Sequence, residues 1–102
     1  MKIKTFSQEV TAIIKNIPYG KVATYGQIAG LAGNRFASRQ VVWVLNSLSK
    51  TEKLPWYRVV NSRGTISLKP GRGYEEQKEL LMAEGIIFDG DDRIDLKTFL
   101  WR

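Results

Sequence analysis

The chain has no cysteine and no histidine among its 102 residues. Without cysteine there is no disulfide, no redox thiol, and no thiolate to act as nucleophile or metal ligand. Without histidine the chain lacks the commonest acid/base near neutral pH and the commonest metal ligand. No apolar run approaches the roughly 20 residues of a membrane span. The opening residues, Met1-Lys2-Ile3-Lys4-Thr5-Phe6-Ser7-Gln8-Glu9, have none of the continuous apolar stretch of a signal peptide. A carboxylate-only cation site remains as a candidate at Asp89, Asp91, Asp92 and Asp95. Such a cluster is more often a solvated turn. The expectation is therefore no metal, no cofactor and no membrane partner.

Hydrophobic residues make up 43% and charged residues 25%, the balance of a folded domain rather than a disordered chain. The length fits one domain, 1–102, with a modest core. The net charge is +6 and the isoelectric point about 9.8. That balance favours an anionic partner, with nucleic acid first. The plainer alternative is a basic cytoplasmic protein with scattered lysines.

Periodicity places Phe6, Val10, Ile13, Ile14 and Ile17 on one helical face, with Thr5 or Ser7 as the cap and Pro18-Tyr19-Gly20 as the end. Lys21-Val22-Ala23 reads as a link. Thr24 then caps a second helix, with Gln27 completing a capping box. Gly33-Asn34 breaks that helix, and a third runs from about Phe36 to Leu48 with Val41, Val44, Leu45 and Leu48 inward. Two short helices across a glycine-containing turn suggest a helix-turn-helix, although most such pairs are simply core.

Beyond it, Ser49 to Leu54 reads as loop and Arg58-Val59-Val60 as extended. Thr65-Ile66-Ser67 reads as a returning strand, and Lys69 to Gly73 as a basic, glycine-rich loop. A fourth helix is expected from Tyr74 to about Glu84, with Leu80, Leu81 and the stem of Lys78 on one face and Gly85 as its C-terminal cap. Ile86-Ile87-Phe88 reads as a last short strand. Leu96, Phe99, Leu100 and Trp101 are expected to pack back on the core, and Trp43 to lie in it.

Several runs together resemble the O6-alkylguanine-DNA alkyltransferase family across nearly the whole chain. Ile17 to Ala29 is similar to that family's entry into its DNA-binding helices. Ala32-Gly33-Asn34 and Ser38-Arg39-Gln40-Val41-Val42 are similar to its turn and recognition helix. Pro55-Trp56-Tyr57-Arg58-Val59-Val60, with Ser62 and Gly64, resembles its active-site block. Lys78, Leu80, Leu81 and Glu84-Gly85 resemble its closing helix. The family's motif reads Pro-Cys-His-Arg, and its cysteine accepts the alkyl group. Here Trp56 stands at the cysteine position and Tyr57 at the histidine position, as in the alkyltransferase-like branch. The resemblance implies a mostly α domain with short β strands, a winged-helix-like helix-turn-helix fold, and no alkyl transfer.

It also implies roles. Tyr25 would press on the phosphate beside a target nucleotide and help rotate it outward; otherwise it is a tyrosine at the core rim. Arg39 would fill the gap left by the flipped base, where a guanidinium can stack and hydrogen-bond; otherwise it is a solvated arginine. Family members carry this helix into the minor groove. Gly26, Asn34 and Ser62 would join Tyr25 and Arg39 in touching DNA. Trp56, Val59 and Lys69 would line a lesion pocket with Tyr25, under a lid formed by Ser67 to Gly73. Lys69 and Arg72 would neutralise phosphate or face O6; otherwise they are loop charges in solvent. Tyr57, Arg58 and Glu84 would be structural, with Arg58 bonding carbonyls or Glu84.

The implied function is a non-enzymatic sensor of O6-alkylguanine in double-stranded DNA. It would act as a monomer and expose the lesion to nucleotide excision repair proteins. The alternative is a sequence-specific helix-turn-helix regulator. Less favoured are a lysine-based glycosylase, for which no lysine–carboxylate pair is placed, and an inhibitor of active alkyltransferases. The expected location is cytoplasmic, on the nucleoid in a bacterium and in the nucleus in a eukaryote.

Overall fold

The computed structural model describes residues 4–102. Helix α1 spans Phe6–Lys15. Thr5 caps it reciprocally with Gln8: the Gln8 amide donates to Thr5 Oγ1 at 3.1 Å, and the Thr5 amide to Gln8 Oε1 at 2.8 Å. The same device starts α2, Tyr25–Leu31, where Thr24 and Gln27 exchange bonds of 3.0 and 3.2 Å. Each box satisfies two of the amides that a helix start leaves unpaired. Helix α3 is Ser38–Glu52, α4 is Tyr74–Ala83, and α5 is the single turn Leu96–Phe99.

The sheet is two short strands. Strand β1, Ala23–Thr24, pairs in parallel with β2, Val59–Val60, in the register Ala23 to Val59 and Thr24 to Val60. Side chains on a strand alternate sides, and this pair uses that alternation to join two cores. Ala23 and Val59 face the larger core with Val10, Ile14, Ile28, Val41 and Val44 from α1, α2 and α3. Val22 and Val60 face the smaller one with Leu81, Ile86 and Ile94. The C-terminal segment adds to the same edge: the Val22 amide donates to Phe99 O, and the Trp101 amide to Val22 O.

The mostly helical domain with a short sheet agrees with the sequence reading, and several local expectations are corrected. Lys21-Val22-Ala23 is not a mere link, since Val22 and Ala23 both pair. Helix α3 runs four residues past Leu48, with Ser49 turned toward the protein and Lys50, Thr51 and Glu52 in solvent. It stops where Lys53 turns left-handed (φ 52°). Thr65–Ser67 forms no strand. The Asn61 side chain closes that turn instead, accepting from the Arg63 and Thr65 amides. Ile86–Phe88 contributes only a single bridge, Phe88 to Ile94. On α4 the buried neighbour of Leu81 is Gln77, while Leu80 is exposed and Lys78 pairs with Asp92. Trp43 is 57% exposed rather than in the core. Gly85 ends α4 at φ 89°, as a glycine after a helix is suited to do.

One polar cluster fastens three distant segments. Glu84, at the end of α4, takes Arg58 Nε at 3.0 Å on Oε1 and Arg58 Nη2 at 2.6 Å on Oε2. The Gly20 amide donates to the same carboxylate at 2.8 Å, and the Tyr57 hydroxyl at 3.0 Å. Arg58 Nη1 reaches on to Ile17 O at 2.9 Å. The two charged side chains are only 15% and 5% exposed. Burial by itself would raise the Glu84 pKa, but the donors from Arg58, Gly20 and Tyr57 outweigh it and hold the carboxyl below its ordinary 4.5.

Because its folded pKa is depressed, Glu84 adds stability that is complete above its ordinary value and lost as pH falls through the folded one. Glu84→Gln should lower unfolding free energy at pH 7 by about 2–3 kcal/mol, the range for charge-assisted bonds in a buried site. The gap to the wild type should narrow below pH 4.5. Urea unfolding at pH 7, 5 and 3.5 checks both the loss and its pH dependence.

Candidate nucleic-acid interface

The clamp holds the 3-10 turn Trp56–Arg58 against the ends of α1 and α4, which sets Trp56 in the wall of a cavity of about 660 Å³. Three walls meet there. Tyr25, the first residue of α2, forms one. A stripe on α3, Arg39, Val42, Asn46 and Ser49, forms the second; spacings of three and four put these residues on one helix face. The third comprises Trp56 and Val59, with Ser67 and Leu68 from the loop before α4. A volume in this range suits a small organic group or a single nucleobase.

The lining chemistry is mixed. Burial pushes the Tyr25 phenol up from its ordinary 10.0, with Ser67 opposing, so it is a neutral donor at physiological pH. Arg39 is exposed at the cavity mouth and makes no ion pair among the described residues. The Trp56 ring meets Tyr57 edge-on, with centroids 5.8 Å apart and planes at 87°. Gln77 is buried and spends its amide nitrogen on Tyr57 O and Val59 O, fixing the backbone on either side of Arg58. Ser49 Oγ is buried with no hydrogen-bond partner among the described residues. The cavity thus offers an aromatic wall, a neutral phenol, hydroxyls and a cationic rim.

Not every residue singled out from the sequence reaches this cavity. Tyr25, Arg39, Trp56 and Val59 do. Tyr57, Arg58 and Glu84 form the clamp behind it. Lys69 is exposed and off the lining; Ser67 and Leu68 take the place expected for it. Leu68 lies over Gly73, where a φ of 109° favours glycine and an added Cβ would come within 2.8 Å of Leu68 Cδ1, so that any side chain there would push Leu68 aside. Gly26, Asn34 and Ser62 are exposed. Asn34 shapes the turn before α3 by accepting the Phe36 amide on Oδ1. An added Cβ at Gly26 would meet nothing nearer than Ser38 Oγ at 3.9 Å, so the fold itself does not demand glycine there.

Sequence reasoning missed Val42, Asn46, Ser49 and Gln77. The first three share the stripe of Arg39; Ser49 lies beyond the expected end of α3 at Leu48, while Val42 and Asn46 lie within the expected helix but off its inward positions Val41, Val44, Leu45 and Leu48. Gln77 carried no signal, since a glutamine on a helix reads as solvated. Three of the four aspartates that suggested a cation site are occupied otherwise, and Asp91 enters the turn through its backbone amide. Asp92 takes Lys78 and Tyr74, Asp95 caps α5, and Asp89 accepts the Asp91 and Arg93 amides. Among the described residues no group of three or more ligand-type side chains could hold a metal ion.

Charge is distributed unevenly around the cavity. Of the ten acidic residues only Glu9 and Glu52 precede Glu75. Between those two lie all of α2 and α3 up to Thr51 with no carboxylate side chain, while Lys15, Lys21, Arg35, Arg39 and Lys50 fall in that stretch. Glu52 is itself paired with Lys15 at 3.1 Å. Arg35, Arg39 and Lys50 make no ion pair among the described residues, so the face presenting α3 is cationic. No helix among the described residues is long and apolar enough to cross a membrane.

Residues 5–86 match the family described as 6-O-methylguanine DNA methyltransferase, DNA binding domain. The chain is 46% identical over 100 residues to the "DNA base-flipping protein" of Escherichia coli, covering 98% of this chain and 77% of that one. It is 37% identical to "Alkyltransferase-like protein 1" of Schizosaccharomyces pombe, covering 100% and 99%. The crystal structure of the latter in complex with damaged DNA containing O6-carboxymethylguanine superposes with a TM-score of 0.82 at 36% identity, over 100% of this chain and 99% of that one. Mycobacterium tuberculosis O6-methylguanine methyltransferase aligns at a TM-score of 0.63 and 27% identity, over 81% of this chain and half of that one. The chain therefore belongs to the 6-O-methylguanine-DNA methyltransferase DNA-binding-domain family, in its alkyltransferase-like branch.

Proposed function

We propose that this protein binds duplex DNA at O6-alkylguanine, turns the modified base into the cavity, and holds it there without reacting. The observation that carries the reading is a cavity of nucleobase size that opens beside an unpaired arginine and has tryptophan, not a thiol, in its wall. The relatives support it by what they are named for: base flipping in one, a complex with damaged DNA in the other.

The division of roles follows from side-chain chemistry. The cationic α2–α3 face supplies the sequence-independent attraction to phosphate. The neutral Tyr25 phenol donates to a phosphate oxygen and wedges the target nucleotide outward. Arg39 enters the vacated stack, where its plane can rest on neighbouring bases. O6-alkylation removes the guanine N1 proton and weakens its pair with cytosine, so a damaged base costs less to extrude than an intact one. Inside, the Trp56 face meets the purine or its alkyl group, a contact worth roughly 1–3 kcal/mol. With nothing to accept the alkyl group, the complex persists and marks the site. Handover to nucleotide excision repair proteins, action as a monomer, and a location with the cell's DNA complete this reading. A sequence-specific regulator would have no use for a cavity beside its recognition helix.

Titration of a duplex holding one O6-methylguanine against the same duplex with guanine tests the reading. The lesion duplex should bind at least tenfold more tightly at every salt concentration. The two plots of log affinity against log salt should be parallel, because the phosphate contacts are shared. Equal affinities would remove the lesion from the function.

Arg39→Ala should lose at least tenfold in lesion affinity while its unfolding midpoint stays put, since Arg39 is exposed and makes no ion pair among the described residues. Wild-type affinity in that variant would take Arg39 out of the mechanism.

Trp56→Cys should not gain efficient alkyl transfer. A thiol at that position needs a base to become a thiolate. Tyr57 is no such base: burial, and then its bond to Glu84, push its pKa above the ordinary 10.0. Mass spectrometry of the variant after incubation with lesion DNA should find the unalkylated protein. Stoichiometric alkylation would show that no relay is needed.

A further inference from the structure

Two aromatic side chains on the cationic face are largely exposed and belong to neither core cluster among the described residues. Phe36, in the turn before α3, is 84% exposed, and Trp43, on α3, is 57% exposed. Exposed aromatics of this size are costly to leave in water and usually mark a contact surface. They are not scattered. Trp43 lies one turn beyond Arg39, and Val42, its neighbour, lines the cavity and is itself exposed. Phe36 precedes Arg39 by three residues and is posed by two local contacts. Asn34 Oδ1 accepts its amide at 3.0 Å, and the Arg35 guanidinium lies 4.9 Å from its ring centre. The apolar pair thus brackets the arginine at the cavity mouth.

Resting on the reading above, we propose that Phe36 and Trp43 are DNA-contacting residues that pack on deoxyribose and base edges on either side of Arg39. Two features of the face select DNA as the occupant over a second copy or a protein partner. No carboxylate lies on α2, on the turn, or on α3 before Glu52, so a polyanion meets no repulsion there. The aromatic pair is also continuous with the cavity mouth through Arg39 and Val42. Any duplex that delivers a base to the cavity must lie across it. Apolar wedges beside a cationic finger suit a bent, partly unstacked duplex, because side chains of this kind hold base steps open.

Salt-dependent titration on an undamaged duplex tests this independently of lesion preference. Trp43→Ala should lower affinity roughly tenfold, the order expected for one aromatic contact with a nucleotide. The slope against log salt should not change, because no phosphate contact is removed. Phe36→Ala should behave alike. Arg35→Gln, as a control, should make the slope shallower by about one. In a Trp56→Phe chain, duplex binding should shield the fluorescence that acrylamide quenches, which belongs chiefly to exposed Trp43.

Wild-type affinity in Trp43→Ala together with unshielded fluorescence would overturn the proposal. So would loss of a dimer, rather than of DNA affinity, in sedimentation equilibrium of the variant. If the wild type binds both duplexes equally but Trp43→Ala weakens both, the lesion reading fails and this one stands. If the wild type prefers the lesion and Trp43→Ala is neutral, the reverse holds.

Discussion

The bidentate contact between Arg58 and Glu84 holds the rest of the molecule in register. A carboxylate that is almost wholly enclosed keeps its charge only because four donors converge on it: two guanidinium nitrogens, the Gly20 amide and the Tyr57 hydroxyl. Those donors come from the segment after α1 and the turn before β2, while the carboxylate closes α4. The helix bundle and the smaller C-terminal core are thereby locked at the point where β1 and β2 run between them. Residues 56 and 59 flank the clamp, so the cavity wall inherits its rigidity. Gln77 reinforces the same strip of backbone from the other side.

That arrangement separates two demands that an acceptor enzyme must combine. Extracting a base requires a cationic approach, a wedge, a filler for the vacated stack and a pocket. Consuming an alkyl group requires a thiolate and a relay that generates it. In the function proposed above, α2, α3 and the Trp56 turn supply the first set. The second is absent at the level of composition, since the chain contains neither cysteine nor histidine. Tyr57, bound to Glu84, has become part of the clamp rather than of a relay.

Local chemistry was the most legible part of the fold. Thr24-Tyr25-Gly26-Gln27 announces its capping box because all partners lie within one turn. Gly85 announces the end of α4 for the same reason. The contact between Arg58 and Glu84 came from family resemblance, as their 26-residue separation carries no local signal. The parallel pairing of β1 with β2 was invisible, since two-residue strands have no periodicity and Lys21-Val22-Ala23 resembles a linker. The end of α3 was misjudged because Ser49, Lys50, Thr51 and Glu52 are polar, a property shared by loops and by the outer face of a helix. The early end left Ser49 off the helix, and with it the last position of the cavity stripe Arg39, Val42, Asn46 and Ser49. Trp43 was assigned to the core on residue type alone, whereas its position on α3 faces away from Val41 and Val44.

The central claim is extraction of a base without chemistry, and one optical measurement addresses it directly. A fluorescent cytosine analogue placed opposite O6-methylguanine is quenched while stacked and paired, and brightens when its partner leaves. Saturating the duplex with protein should raise that emission, and the strand recovered after dissociation should still carry the methyl group. Tight binding with unchanged emission would show that the lesion stays in the helix. Recovery of plain guanine, or of an abasic site, would show that the protein reacts with what it binds.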